Sequence, residues 1–86
     1  MTEQTLQTKI IKQLESQGYY VINLIKTNKN GISDLLALKE NEPPMFIEVK
    51  KPKSFVVSPL QRFRIKEQRA MGFKSFATDN INLIEV

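Results

Sequence analysis

The segment FIEVK, Phe46 to Lys50, has the alternation of a half-buried β-strand. Successive strand side chains point to opposite faces, so Ile47 and Val49 share one face and Phe46, Glu48 and Lys50 share the other. The first face is apolar and predicts a contact with the core. The second places a carboxylate beside an ammonium group, which points to a chemical role for this end of the strand.

Composition limits the classes of site that the chain can contain. The 86 residues are 41% hydrophobic and 26% charged, which predicts one small globular domain over residues 1–86. The chain contains no cysteine and no histidine. This excludes disulfides, thiolate or imidazole zinc sites and Ser-His-Asp catalysis. Any metal must be bound through oxygen, which favours magnesium, manganese or calcium over zinc.

The sequence gives no sign of a membrane or secretory segment. It has no apolar run long enough to cross a bilayer, and the first residues, MTEQTLQTKI, are polar. We therefore expect an intracellular, cytoplasmic protein with no membrane partner, and no organic small-molecule cofactor.

Periodicity and turn residues divide the rest of the chain into elements. A serine N-cap, a proline at the first helical position and a glutamine three residues after the serine begin the second helix, at Ser58 to Gln61. The tail, residues 79–86, fits either an edge strand or a turn of helix. The predicted order is α-β-β-β-α-β around a mixed sheet flanked by helices. The predicted elements are a helix over Glu3–Gln17, strands over Tyr19–Lys26, Asp34–Lys39 and Met45–Lys50, a helix to about Met71, and a strand over Phe73–Thr78.

The second and third strands are expected to form a hairpin, which brings acidic residues together. Antiparallel partners run in opposite directions, so Asp34 at the start of one strand should lie near Glu48 or Lys50 at the end of the other. Two adjacent carboxylates repel each other unless a cation lies between them. Asp34, Glu48 and the backbone carbonyl of Val49 are therefore candidate magnesium ligands, with Lys50 beside the site.

Positive charge is concentrated in the second half of the chain. Eight basic residues and one acidic residue lie between Lys50 and Lys74. Such a field suits a polyanion, most simply nucleic acid, although a solvated helix face explains the charge density equally well. The candidate contacts to the DNA backbone are Lys51, Lys53, Arg62, Arg64, Lys66 and Arg69.

The motifs GISDLLAL, FIEVKKP and SPLQ, followed by MGFKSFAT, resemble the VRR-NUC domain of the PD-(D/E)xK nuclease superfamily. The resemblance is to the short stand-alone form that is often found in phage and prophage, and it spans Glu3 to Thr78. It implies a restriction-endonuclease-like core and hydrolysis of DNA phosphodiester bonds that depends on Mg²⁺ or Mn²⁺. Compact members of the family resemble Holliday junction resolvases, which implies branched DNA as the substrate and a homodimer.

The resemblance also assigns roles to individual residues. Asp34 and Glu48 match the metal-binding acids, and Lys50 matches the catalytic lysine. Glu3 matches an acidic residue of the first helix that helps hold the metal or its water, and Gln61 matches a glutamine at the edge of the active site. One position departs from the family: serine at position 33 replaces the usual proline, which changes the stiffness of the loop and removes no ligand.

Each candidate also has a plainer interpretation. Asp34 could cap a turn, Glu48 with Lys50 could form a solvated ion pair, and Glu3 could complement the helix N-terminus. A Ser-x-x-Gln capping box explains Gln61 without catalysis. The function has alternatives as well: a nucleic-acid-binding module without catalysis, or a sequence-specific restriction-type endonuclease. Because nothing in the chain resembles a major-groove reader, we expect recognition of DNA structure, and the two scissile strands of a junction favour a symmetric dimer.

Overall fold

The structure, a computed structural model, describes residues 1–53 and 55–81. It confirms the predicted order α-β-β-β-α-β. The prediction for the tail falls mostly on residues 82–86, which lie outside the described residues. The elements are α1 Glu3–Ser16, β1 Tyr20–Asn23, β2 Leu35–Leu38, β3 Met45–Val49, α2 Pro59–Ala70 and β4 Lys74–Thr78.

The four strands form one mixed sheet in the order β1-β2-β3-β4. The first three strands are antiparallel neighbours, and β4 runs parallel to β3. The predicted hairpin of β2 and β3 is confirmed, with Leu35 opposite Ile47. Parallel neighbours need a crossover connection, and α2 lies in the segment that joins β3 to β4.

The strands are shorter than the sequence predicted, and β1 differs most. The prediction extended β1 to Lys26, but the strand ends at Asn23. The Leu24 N–H still donates to the Asp34 carbonyl at 2.8 Å, but the Ile25 N–H donates back to the Asn23 carbonyl at 3.0 Å, so the chain turns away after Leu24. Among the described residues, β1 pairs with β2 alone, and β2 has four residues. β1 therefore has no partner for a longer run of strand pairing.

The helix α1 covers one face of the sheet. Its apolar residues Leu6, Ile10 and Leu14 follow helical spacing and are buried. They form the core together with buried residues of β2 and β3, namely Leu35, Ala37, Met45, Ile47 and Val49. The expectation that Ile47 and Val49 face the core is therefore met, since both are fully buried.

The helix α2 lies on the opposite face and packs chiefly against β4. It begins with the predicted capping box at Ser58, and Gly72 follows its C-cap with a φ of 88°. The helix leaves part of its face of the sheet uncovered. Cross-strand register puts five apolar side chains on this uncovered sheet face: Tyr20, Ile22, Leu36, Leu38 and Phe46. In residues 1–53 and 55–81, no helix has the length and apolar character needed to cross a membrane.

Candidate active site

The backbone holds Asp34 directly beside Glu48. Leu35 pairs with Ile47, so the next residues along the two strands, Asp34 and Glu48, lie opposite each other. The Asp34 N–H donates to the Ile47 carbonyl at 3.1 Å, and the Val49 N–H donates to Asp34 Oδ2 at 2.8 Å. One backbone hydrogen bond and one side-chain hydrogen bond therefore hold Asp34 next to Glu48, as the sequence predicted.

The loop before Asp34 is fixed against α2. Gly31 has a φ of 75°, and a Cβ atom there would lie 2.5 Å from Cγ of Leu60. Arg64 Nε donates to the Asn30 carbonyl at 2.9 Å. A glycine is needed at this close approach, and the loop-to-helix contacts restrict where β2 begins.

Glu48 is only 4% exposed, and polar side chains that follow β3 and begin α2 contact it. Gln61 Nε2 donates to Glu48 Oε2 at 3.2 Å, and Lys50 Nζ lies 3.7 Å from the same oxygen. Lys50 Nζ also donates to Gln61 Oε1 at 2.7 Å. The Gln61 amide thus bridges the acid and the amine.

The pKa of the Glu48 carboxyl is raised from 4.5 to about 8, and burial is the largest cause. The negative charge of Asp34 adds to this, and Lys50 opposes it by favouring the charged form. A hydrogen bond with Asp34 and the charge of Glu3 contribute smaller increases. A buried acid beside a second, half-buried acid therefore creates a site that favours a bound proton or cation.

Gln61 belongs both to this cluster and to the helix cap. The Ser58 N–H donates to Gln61 Oε1 at 3.0 Å, and the Gln61 N–H donates to Ser58 Oγ at 3.1 Å. The capping interpretation is therefore confirmed. Because the same side chain contacts Glu48 and Lys50, capping and a place in the site are compatible.

A cleft of about 560 Å³ opens beside Asp34, between the start of α1 and the end of β1. Glu3 lies in its wall, which places this predicted residue on the same cleft as Asp34. The lining residues are Glu3, Gln4, Gln7, Asn23, Leu24, Ile25 and Asp34. Sequence reasoning missed the three carboxamides. The spacing of Gln4 and Gln7 beside Glu3 in the first turns of α1 was an available signal, since residues three and four apart share a helix face.

Comparison with known proteins places this arrangement in a family. The family model described as VRR-NUC domain matches residues 1–79. The chain belongs to the VRR-NUC domain family. It is also similar to a solved structure titled "VRR_NUC domain", with a TM-score of 0.84 and 23% identity over 99% of this chain and 92% of that chain. At that identity the likeness concerns the fold. No curated protein matches the chain.

VRR-NUC domains are nuclease-type domains that generally depend on a metal, so the donor atoms must suit one. Asp34 and Glu48 offer carboxylate oxygens, which Mg²⁺ and Mn²⁺ prefer. Because the N–H and C=O of one strand residue project to the same side, the Val49 carbonyl faces the side on which Asp34 lies. Among residues 1–53 and 55–81, no three acidic side chains are close enough to hold one ion together. The oxygen donors fit a cation held by two carboxylates, with water completing its shell.

The predicted DNA-contacting residues of this VRR-NUC domain fall into two groups. Lys51, Lys53, Arg62 and Lys66 are exposed. The other two also bond within the protein: Arg64 donates to Asn30 and, through Nη1, to Glu67 at 3.0 Å, while Arg69 Nε donates to the Ser75 carbonyl at 2.8 Å. The sequence could not separate these groups because charge alone does not reveal a side chain's partners.

Proposed function

We propose that this VRR-NUC domain is a metal-dependent DNA endonuclease that uses Mg²⁺ or Mn²⁺ and acts on branched DNA such as a Holliday junction. The observation that carries the proposal is the buried Glu48 beside the half-buried Asp34, with Lys50 and Gln61 next to them. A solvated surface ion pair would not raise the pKa of Glu48 to about 8. An acid with a raised pKa, next to a second acid that lines an open cleft, is typical of active sites.

The roles follow from the contacts. Asp34, Glu48 and the Val49 carbonyl would hold the cation, and Glu3 would act across the cleft on its water. A bound divalent cation would supply an acidic centre that polarises the phosphate and activates water. Lys50 would orient the attacking water or stabilise charge on the phosphate, because Gln61 fixes its amine at 2.7 Å. Gln61 therefore has a positioning role in the proposal.

DNA is the partner that the basic side of the domain favours. Lys51, Lys53, Arg62 and Lys66 could contact phosphates without reading bases. Arg64 and Arg69 could add to them through guanidinium nitrogens that make no hydrogen bond to residues 1–53 or 55–81. Within residues 1–53 and 55–81, both helices are packed on the sheet, and neither projects from it as a major-groove reader would. These features support selection of DNA by its structure.

A homodimer would place two active sites on the two scissile strands of a junction. The uncovered sheet face supports this, because Tyr20 is 70% exposed and Ile22 is 37% exposed on it. Adjacent apolar side chains on an open sheet face are typical of protein interfaces. An isologous contact would use the same face on both copies.

The test compares cleavage of a four-way junction, a flap, a duplex and a single strand, with Mg²⁺, with Mn²⁺ and with EDTA. We expect the junction to be cut in the presence of either metal, and Glu48→Gln to lower the rate by about a hundredfold or more, because it removes a charged ligand. Glu15→Gln, an exposed position on α1, is the matched control and should cut normally.

Two rival functions predict different results. A nucleic-acid-binding module without catalysis would bind the junction and cut none of the four substrates. Calorimetry would then show equal affinity of Mn²⁺ for the wild type and Glu48→Gln. A sequence-specific restriction-type enzyme would cut some plasmids at fixed positions and would ignore a synthetic junction that lacks its site.

A further inference from the structure

The cleft beside Asp34 contains three carboxamides with no evident structural task. Gln4 and Gln7 come from α1 and Asn23 comes from the end of β1. In the part of the chain that the structure describes, none of these three amide groups has a hydrogen-bond partner. Gln61 and Gln68, by contrast, are bonded to other side chains. Three amide-bearing residues that line one cleft form a wall suited to hydrogen bonding with a ligand.

The charge of this wall differs from that of the basic side of the site. Among residues 1–53 and 55–81, the lining includes the acids Glu3 and Asp34 and no lysine or arginine. A phosphate would gain more from the exposed cations near α2, such as Arg62 and Lys66, than from a wall that carries negative charge. A base edge is uncharged and presents both donors and acceptors. A carboxamide presents both as well, so the two are chemically matched.

We propose that Gln4, Gln7 and Asn23 form a base-contacting wall, which hydrogen-bonds the base of a nucleotide that flanks the scissile phosphate. This rests on the proposed function, since Asp34 would hold the cation beside that phosphate and lines the same cleft. Bases at a branch point are unstacked at lower cost than bases in a duplex. The wall would therefore favour branched DNA over a duplex without a specificity domain.

The experiment measures kcat/KM on a four-way junction for the wild type, Gln7→Met and Asn23→Ala. Each variant removes hydrogen bonds and should lower kcat/KM about three- to tenfold, the effect expected of a lost neutral hydrogen bond. Gln17→Ala is the matched control, an exposed glutamine at the other end of α1, and should leave kcat/KM unchanged. Thermal unfolding of each variant checks that the fold is retained.

The salt dependence of kcat/KM distinguishes contacts made by the wall from contacts made by basic residues such as Lys66. A neutral contact releases no counterions, so Gln7→Met should leave the slope of log kcat/KM against log salt unchanged. Lys66→Ala should reduce the magnitude of that slope by about 0.9 for one lost phosphate contact. A slope that falls equally in both variants would overturn the proposal.

Modified junctions identify the group that is contacted. An abasic site at the flanking nucleotide whose base the wall contacts should remove the difference in kcat/KM between the wild type and Gln7→Met. If a neutral methylphosphonate at the flanking phosphate removes the difference instead, the wall binds backbone and the proposal is wrong.

Different results would contradict the base-contacting wall and the nuclease proposal. If the wild type cuts the junction and Gln7→Met and Asn23→Ala cut it equally well, the wall has no such role and the nuclease proposal stands. If the wild type cuts nothing, the nuclease proposal fails. Fluorescence anisotropy with the labelled junction then tests the base contacts alone: weaker binding by both variants supports a base-contacting wall that does not depend on cleavage, and equal affinities overturn it.

Discussion

On β3, Glu48 is buried nearly as fully as its neighbours Ile47 and Val49 on the opposite face, but burial has opposite energetic effects on the two faces. On the α1 face, Ile47 and Val49 are fully buried against apolar side chains. On the α2 face, Glu48 is 4% exposed and lies among Asp34, Lys50 and Gln61. Burial of an alkyl group stabilises the fold, whereas burial of a carboxyl destabilises its charged form. Because side chains alternate between the two faces of this short strand, one face stabilises the fold and the other can bind a cation.

The largest effect on folding is expected from the apolar face. Ile47→Ala removes buried methyl and methylene groups and should lower the free energy of unfolding by about 2–5 kcal/mol, a large share of the stability of a small domain. Urea unfolding followed by circular dichroism measures the change. Ile25→Ala, at a side chain that is 87% exposed, is the control and should change stability by less than about 0.5 kcal/mol. A loss below about 1 kcal/mol at position 47 would contradict the assignment of this face as core.

The polar face predicts a stability that falls as pH rises. Below pH 4.5 the Glu48 carboxyl is protonated in the folded and unfolded states alike. Between pH 4.5 and about 8 the unfolded chain releases this proton while the folded protein keeps it, so unfolding becomes more favourable. We expect the Tm of the protein in EDTA to fall by roughly 5 to 15 °C from pH 5 to pH 8.5.

Substitution shows whether Glu48 causes this trend. Glu48→Gln has no proton to lose, so its Tm should change much less over the same range, and it should exceed that of the wild type at pH 8.5. Glu15→Gln should keep the wild-type trend. Equal pH dependence in the wild type and Glu48→Gln would mean that Glu48 is not held protonated. Mn²⁺ should raise the Tm of the wild type most at high pH, because metal binding displaces the proton.

The sequence was sufficient for features that follow from strand pairing, alternation or local spacing. Once the second and third strands form a hairpin, Asp34 must lie near the end of the third strand, at Glu48 or Lys50. The observed register, with Leu35 opposite Ile47, selects Glu48. The apolar role of Ile47 and Val49 follows from the alternation of side chains along a strand. The capping box at Ser58 depends on residues three apart, so it too was visible in the sequence.

Contacts between distant elements were not accessible in this way. The bridge from Gln61 to Glu48 and Lys50 depends on how α2 packs on the sheet, and no local pattern fixes that orientation. The bonds of Arg64 and Arg69 to backbone carbonyls depend on the same packing. The wall of free carboxamides requires α1 and β1 to meet at one cleft, which only the folded chain defines.

The smallest predicted effect separates the two tasks of Gln61. Ser58→Ala removes the hydroxyl that accepts the Gln61 N–H, and should cost about 1 kcal/mol of stability while leaving cleavage near the wild-type rate. Gln61→Ala should cost a similar amount of stability, and should also slow cleavage about tenfold because Lys50 and Glu48 lose their bridge. Urea unfolding and junction cleavage are measured on both variants. If the two variants lose the same activity, Gln61 acts only as a cap, and the polar face of β3 is organised without help from α2.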